Sequence, residues 1–152
     1  MVFTFEHDPF NLEGRNSRNT HLSQYNCGGY ALNTYNWFCP YGSLREDSLR
    51  NGYSLEVTLE NFTNYILKTF ETRIRRISEV KERKKDEYVI AFRVGYTDFH
   101  FAKRGDNGVW YHKPGSNTIR RIKKTEVFSE TWYTPDGYTK YDSEIVLFAM
   151  KK

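Results

Sequence analysis

The chain has 152 residues, 17% of them aromatic, and a formal charge of +4. That length fits one domain with a modest core, and aromatics spread from Phe3 to Phe148 exclude a disordered chain, because each brings a large area to bury. The mild positive excess falls short of the basic stripe of a dedicated nucleic-acid binder; no apolar run reaches the roughly 18 residues of a spanning helix, and the start MVFTFEHDPF lacks a signal-peptide pattern, so a cytoplasmic protein without membrane contact is expected.

Residues 1–25 are polar and rich in Asn and Arg, and read as an irregular arm with His7 and His21 on the surface. No repeat, low-complexity linker or shift of composition marks a boundary, so residues 1–152 read as a single domain whose folded body is 26–152. Residues 28–38 predict a helix carrying Tyr30, Tyr35 and Trp37 and stopped by Pro40. A second helix follows Thr58 as N-cap, with Leu59, Phe62, Ile66 and Phe70 on one apolar face. The period then shortens. Residues 74–78 and 88–94 predict two strands joined by the long, charged hairpin connection EVKERKKDE; DFHFAK, VWYHK and TIRRI predict further strands, and the run IVLFAM within 144–150 closes the sheet. Helices followed by mostly antiparallel strands make an α+β domain, the helices covering the sheet.

Basic residues crowd into Arg73–Arg76, Lys81–Lys85 and Arg120–Lys124. They read as solvated strand edges and a hairpin tip, where Lys and Arg discourage edge pairing, with weak affinity for generic DNA or RNA expected at physiological salt. A nucleic-acid partner is the second choice.

The stretch QYNCGGYAL, residues 24–32, sets Cys27 at the mouth of the first predicted helix. With residues 28–38 helical, Cys27 and Cys39 stand about 18 Å apart, beyond disulfide reach, and both are expected as free thiols. No Cys-x-x-Cys or His-x-x-x-His spacing points to a metal. A helix N-terminus favours a thiolate, and Gly28-Gly29 leaves room for a substrate carbonyl to approach backbone N–H groups. The other reading makes Cys27 a small buried packing residue whose glycines ease a turn. A partner for the thiol appears in DFHFAKRGDNGVWYHKPG, residues 98–115. A hairpin centred on Asp106 puts His100 opposite His112 and gathers His100, Ala102, Trp110 and His112 on one face, with Phe99, Phe101, Val109 and Tyr111 on the other. A competing register, with Asn107-Gly108 as a two-residue turn, sends the histidines to opposite faces.

A cysteine opening a helix, a second helix, then strands holding one His and another resembles the NlpC family of papain-like cysteine peptidases and amidases. Asn26-Cys27-Gly28-Gly29 stands where that family tends to have Asp-Cys-Ser-Gly, His100 matches its base and His112 its orienting residue; Tyr25 is the candidate for its upstream Tyr. The resemblance, over residues 26–114, implies a papain-like catalytic domain in residues 26–152. Cys27 would be the nucleophile, His100 its base and His112 the orienter of that base, with Gly28, Tyr25 and Trp110 around the oxyanion and substrate. The expected activity is cysteine-dependent hydrolysis of a peptide or amide substrate, a protein among them, without a cofactor; an amine acceptor would make it acyl transfer. Asp98 and Asn117 are spare orienters, and Trp132 and Tyr133 candidates for a groove wall. The alternative is a non-catalytic basic binding module for a protein or nucleic-acid partner.

Overall fold

The computed structural model describes residues 24–38, 52–96, 98–115, 117–134, 137 and 139–152. The readings of His7, His21, Cys39 and Pro40 lie outside them. Three helices are described, α1 (Cys27–Ala31), α2 (Leu55–Thr69) and α3 (Lys124–Val127). The strands are β1 (Ile74–Ile77), β2 (Glu87–Val94), β3 (Phe99–Arg104), β4 (Trp110–His112), β5 (Arg120–Ile122), β6 (Trp132–Tyr133), β7 (Lys140–Tyr141) and β8 (Val146–Lys151). Six of them form one sheet in the order β1-β8-β2-β3-β4-β5, antiparallel at every pairing, while β6 and β7 make a separate ribbon. The α+β class with a mostly antiparallel sheet is therefore as expected. Among the described residues no helix is long and apolar enough to cross a membrane.

Two corrections concern the helices. The helix predicted over residues 28–38 ends at Ala31, because Asn33 and Tyr35 take left-handed φ values of 56° and 52° and the Gly29 carbonyl accepts the N–H groups of both Thr34 and Tyr35. Asn tolerates that conformation better than most residues, so the chain doubles back here instead of continuing to Phe38. The second helix begins a turn earlier than predicted: Ser54 is its N-cap, its hydroxyl accepting the Val57 N–H at 3.2 Å, and Thr58 lies inside. Its predicted apolar face holds, with Leu59, Phe62 and Ile66 buried and Phe70 packed at the edge of the core.

A third correction concerns the sheet. β1 and β2 do not form a hairpin; β8 lies between them, pairing Arg76 with Phe148 on one side and Ile90 with Phe148 on the other. IVLFAM is thus a central strand, and EVKERKKDE passes across its end through a 3₁₀ turn at Val80–Glu82. Strands β1 and β5, which carry two of the basic clusters, are the outer strands, in line with edge protection.

Both sheet faces are covered. On one, α1 and α2 enclose Tyr30, Leu32, Phe62, Ile66, Phe92, Phe99, Phe101, Tyr111 and Phe148. On the other, Val89, Ala91, Ala102, Trp110, Leu147 and Ala149 pack under Val127, Trp132 and Tyr141, so α3 and the β6–β7 ribbon form a second, thinner cover. Burial on both sides explains why all eight residues of β2 are buried.

Candidate functional site

Cys27 is the first residue of α1, and its surroundings explain the motif. Asn26 is the N-cap: its Oδ1 accepts the N–H of Gly29 and of Phe38, each at 3.0 Å, and its Nδ2 donates to the Phe38 carbonyl at 2.8 Å. One side chain thus caps the helix and staples the returning strand to it. A Cβ on Gly29 would stand 1.9 Å from the Asn36 carbonyl oxygen, and one on Gly28 2.6 Å from the Phe38 ring. The space cleared by the two glycines is filled by residues 36–38, not left open for a substrate carbonyl. The thiol itself is buried beside the Phe101 backbone; burial, with the charge of Asp98 adding to it, pushes its pKa up to about 12, so it is protonated at neutral pH. That reverses the expected thiolate: five residues of helix lower a thiol pKa less than the loss of water raises it.

Lys113 is fully buried next to this corner. Its ammonium donates to the carbonyls of Tyr25 and Gly115, both at 2.5 Å, and lies 4.6 Å from the centre of the Tyr25 ring. Burial holds its pKa down to about 8. Lys103 plays the matching part at the other end of α1, donating to the Tyr30 carbonyl at 3.0 Å and to the Asn33 side chain, with its ammonium 4.4 Å from the Tyr30 ring centre. Tyr25, expected near an oxyanion, is a buried seat for Lys113.

His100 and His112 share a face, as expected from the alternation, and it is the face away from Cys27. The hairpin has neither of the two anticipated registers: Arg104 pairs with Trp110 and Lys103 with Tyr111, centring the turn on Asn107. Gly108, at φ 85°, completes a three-residue loop closed by the Gly105 N–H to the Val109 carbonyl at 2.8 Å. Ala102 therefore stands opposite His112, and the two histidines meet diagonally, Nε2 of His100 and Nδ1 of His112 being 2.9 Å apart. Phe99, Phe101, Lys103, Tyr111 and Lys113 point to the α1 side, while His100 packs against Tyr141 and Trp132 at 5.5 and 6.0 Å between ring centres. The β3 backbone separates Cys27 from both imidazoles, so the Cys27–His100–His112 triad is not assembled.

The imidazole pair forms one end of a cavity of about 350 Å³. Trp132 and Tyr133 line it with Thr125 and Glu126 of α3, Ser129, and Arg121 of β5. Burial, and then mutual repulsion, lowers the His100 pKa to about 3; burial and Arg120, opposed by Glu126, lower that of His112 to about 4. Both rings are neutral at pH 7. One N–H donates across the pair, leaving the other nitrogen of each ring for further bonds.

Of the remaining candidates, Trp132 and Tyr133 do line this cavity. Trp110 shares the histidine face but is buried against Phe128, ring centres 5.8 Å apart, and lines no part of the cavity. Asp98 Oδ1 accepts the Phe99 N–H at 2.8 Å and its Oδ2 the hydroxyl of Tyr141, the ring stacked on His100, at 3.5 Å, while the Asn117 N–H closes a turn onto the Pro114 carbonyl at 2.9 Å. Sequence reasoning missed Arg93, which faces His100 across β2 and β3 and props the cavity wall. Its Nε donates to the Ser143 carbonyl at 2.8 Å and its terminal nitrogens to those of Ser129, at 2.6 Å, and Glu130. A lone Arg inside the run EYVIAFRV was the available signal, since a buried guanidinium needs several acceptors. Among the described residues no three His, Cys, Asp or Glu side chains are grouped so as to hold a metal ion.

A family model described as Domain of unknown function (DUF7689) matches residues 16–144. The chain belongs to the DUF7689 family. The match spans both the α1 corner and the histidine cavity, so each is part of the DUF7689 domain itself. No curated protein and no solved structure matches the chain.

Proposed function

We propose that this DUF7689 domain is a non-catalytic binding module that takes a small polar ligand, with a planar or aromatic part, in the cavity between the histidine pair and the Trp132–Tyr133 wall. The observation that carries this reading is that cavity. It is of the size of small-ligand pockets, and its lining mixes aromatic walls with a few hydrogen-bonding groups. Two neutral imidazoles bonded to each other offer a donor and an acceptor to a ligand without the cost of burying a charge. The papain-like resemblance then concerns the layout, helices laid on an antiparallel sheet, and not the dyad. A thiol hydrolase would need Cys27 ionised beside His100, and here the thiol is buried, protonated and across the sheet.

Screening small aromatic amides and alcohols by NMR tests the proposal. Binders should shift the His112 ring and the Trp132 indole resonances together, and Thr125→Trp, placed at an exposed position on the lining, should abolish those shifts without unfolding the domain. Binders that instead perturb residues around Cys27, or none at all, would overturn it. The thiol supplies a separate check. Cys27 should react slowly with iodoacetamide at neutral pH, and His100→Ala should leave that rate within about twofold; a slowing of tenfold or more would return the hydrolase reading.

A further inference from the structure

A second site lies on the β1–β2 connection. Val80, Lys81, Arg83, Lys84, Lys85 and Arg104 line an open groove of about 570 Å³, and among the described residues no acidic one lines it. Several acids nearby on the chain are engaged, one of them, Glu79, by the lining Lys81 itself. Glu79 pairs with Lys81 at 3.3 Å, the Glu82 carboxylate accepts the N–H groups of Ser78 and Glu79, Glu87 is gripped by Arg75 through two bonds of 3.0 and 2.8 Å, and Asp106 meets Lys152 at 2.6 Å. Both guanidinium groups lie against backbone. Arg83 donates to the Glu87 carbonyl at 3.0 Å, and Arg104, the last residue of β3, lies against the hairpin turn at Gly108. The Arg83 charge lowers the Arg104 pKa, second to burial and against the pull of Asp106. Five cations along one groove, with Glu79 on Lys81 and Asp106 beside Arg104 offsetting only part of their charge, favour an anion of several charges.

We propose that this groove binds the phosphate backbone of a nucleic acid without regard to sequence. The groove's openness suits a polymer lying along it better than a small ligand enclosed by it. Among the described residues Val80 is the one uncharged lining residue, so these supply neither an aromatic platform for a base nor an acceptor to read base edges. The site is independent of the histidine cavity: Arg104 is four residues beyond His100 on β3, about 13 Å along the strand.

Fluorescence anisotropy with a labelled 20-nucleotide strand tests it. With about four phosphates contacted, affinity should fall roughly 50-fold between 50 and 200 mM salt. The triple variant Lys84→Gln, Lys85→Gln, Arg104→Gln should lose at least tenfold in affinity at 50 mM salt and show a shallower salt dependence, with thermal stability retained. Arg120→Gln, Lys123→Gln, Lys124→Gln removes the same charge from the β5 edge and should change affinity less than threefold. Equal losses in the two triple variants would mean that only net charge attracts the strand, and would overturn the site. So would no binding at 50 mM salt, or binding of inorganic polyphosphate or phosphatidylserine vesicles in place of the strand.

Discussion

Gly29→Ala is expected to destabilise the domain by about 3 kcal/mol or more. The methyl group would arrive 1.9 Å from the Asn36 carbonyl oxygen, a backbone atom fixed because Asn26 binds both the N–H and the carbonyl of Phe38, two residues on. A side chain could rotate away; this oxygen can retreat only if the staple between residues 26 and 38 opens. Domains of this size are stable by only about 5–15 kcal/mol, so the loss is a large fraction of the whole. Gly28→Ala should cost less, since its methyl meets the Phe38 ring, which can shift. Urea denaturation at pH 7 ranks the two. Should Gly29→Ala fall within about 0.5 kcal/mol of the parent, the glycines would not be there for packing, and the motif would have to be read again as the lining of a site.

That motif shows where sequence reasoning reaches and where it stops. NCGG signals a cap followed by a close approach, but not what approaches: substrate and the chain's own residues 36–38 need the same missing side chains. Alternation in DFHFAK and VWYHK correctly grouped His100, Ala102, Trp110 and His112, because parity survives a change in turn centre from residue 106 to 107. The same parity put Phe99 and Phe101 on the α1 side and the histidines beyond reach of Cys27. The resemblance to a Cys-His family points to the α1 side instead, while α3, β6 and β7 form a second, thinner cover over the far face. The insertion of β8 between β1 and β2 is a pairing across some 70 residues of chain, invisible to local pattern, although an uninterrupted apolar run such as IVLFAM suits a central strand better than an edge.

Acid should unfold this domain earlier than its carboxylates alone would. His100 and His112 titrate in the folded state at about 3 and about 4, against an ordinary 6.5, because ionising either ring would place a charge in a dry contact beside the other. Between those values and 6.5 the unfolded chain binds protons that the folded chain refuses. Stability is therefore full above about pH 6.5 and is lost as pH falls towards the folded values. The pair should cost on the order of 4 kcal/mol between pH 6.5 and 4.5, with the slope approaching two protons. Glu87, held at about 2 by the Arg75 guanidinium, withdraws its contribution only below the ordinary carboxylate range, so the upper window isolates the histidines. The double variant His100→Gln, His112→Gln should flatten the denaturation profile there while leaving the loss below pH 4.5 in place. Ring nitrogen shifts should show both imidazoles neutral at pH 5. A His112 ring that instead titrates near 6.5 would mean that water reaches the pair freely, and the proposed pocket of neutral donors and acceptors would lose its physical basis.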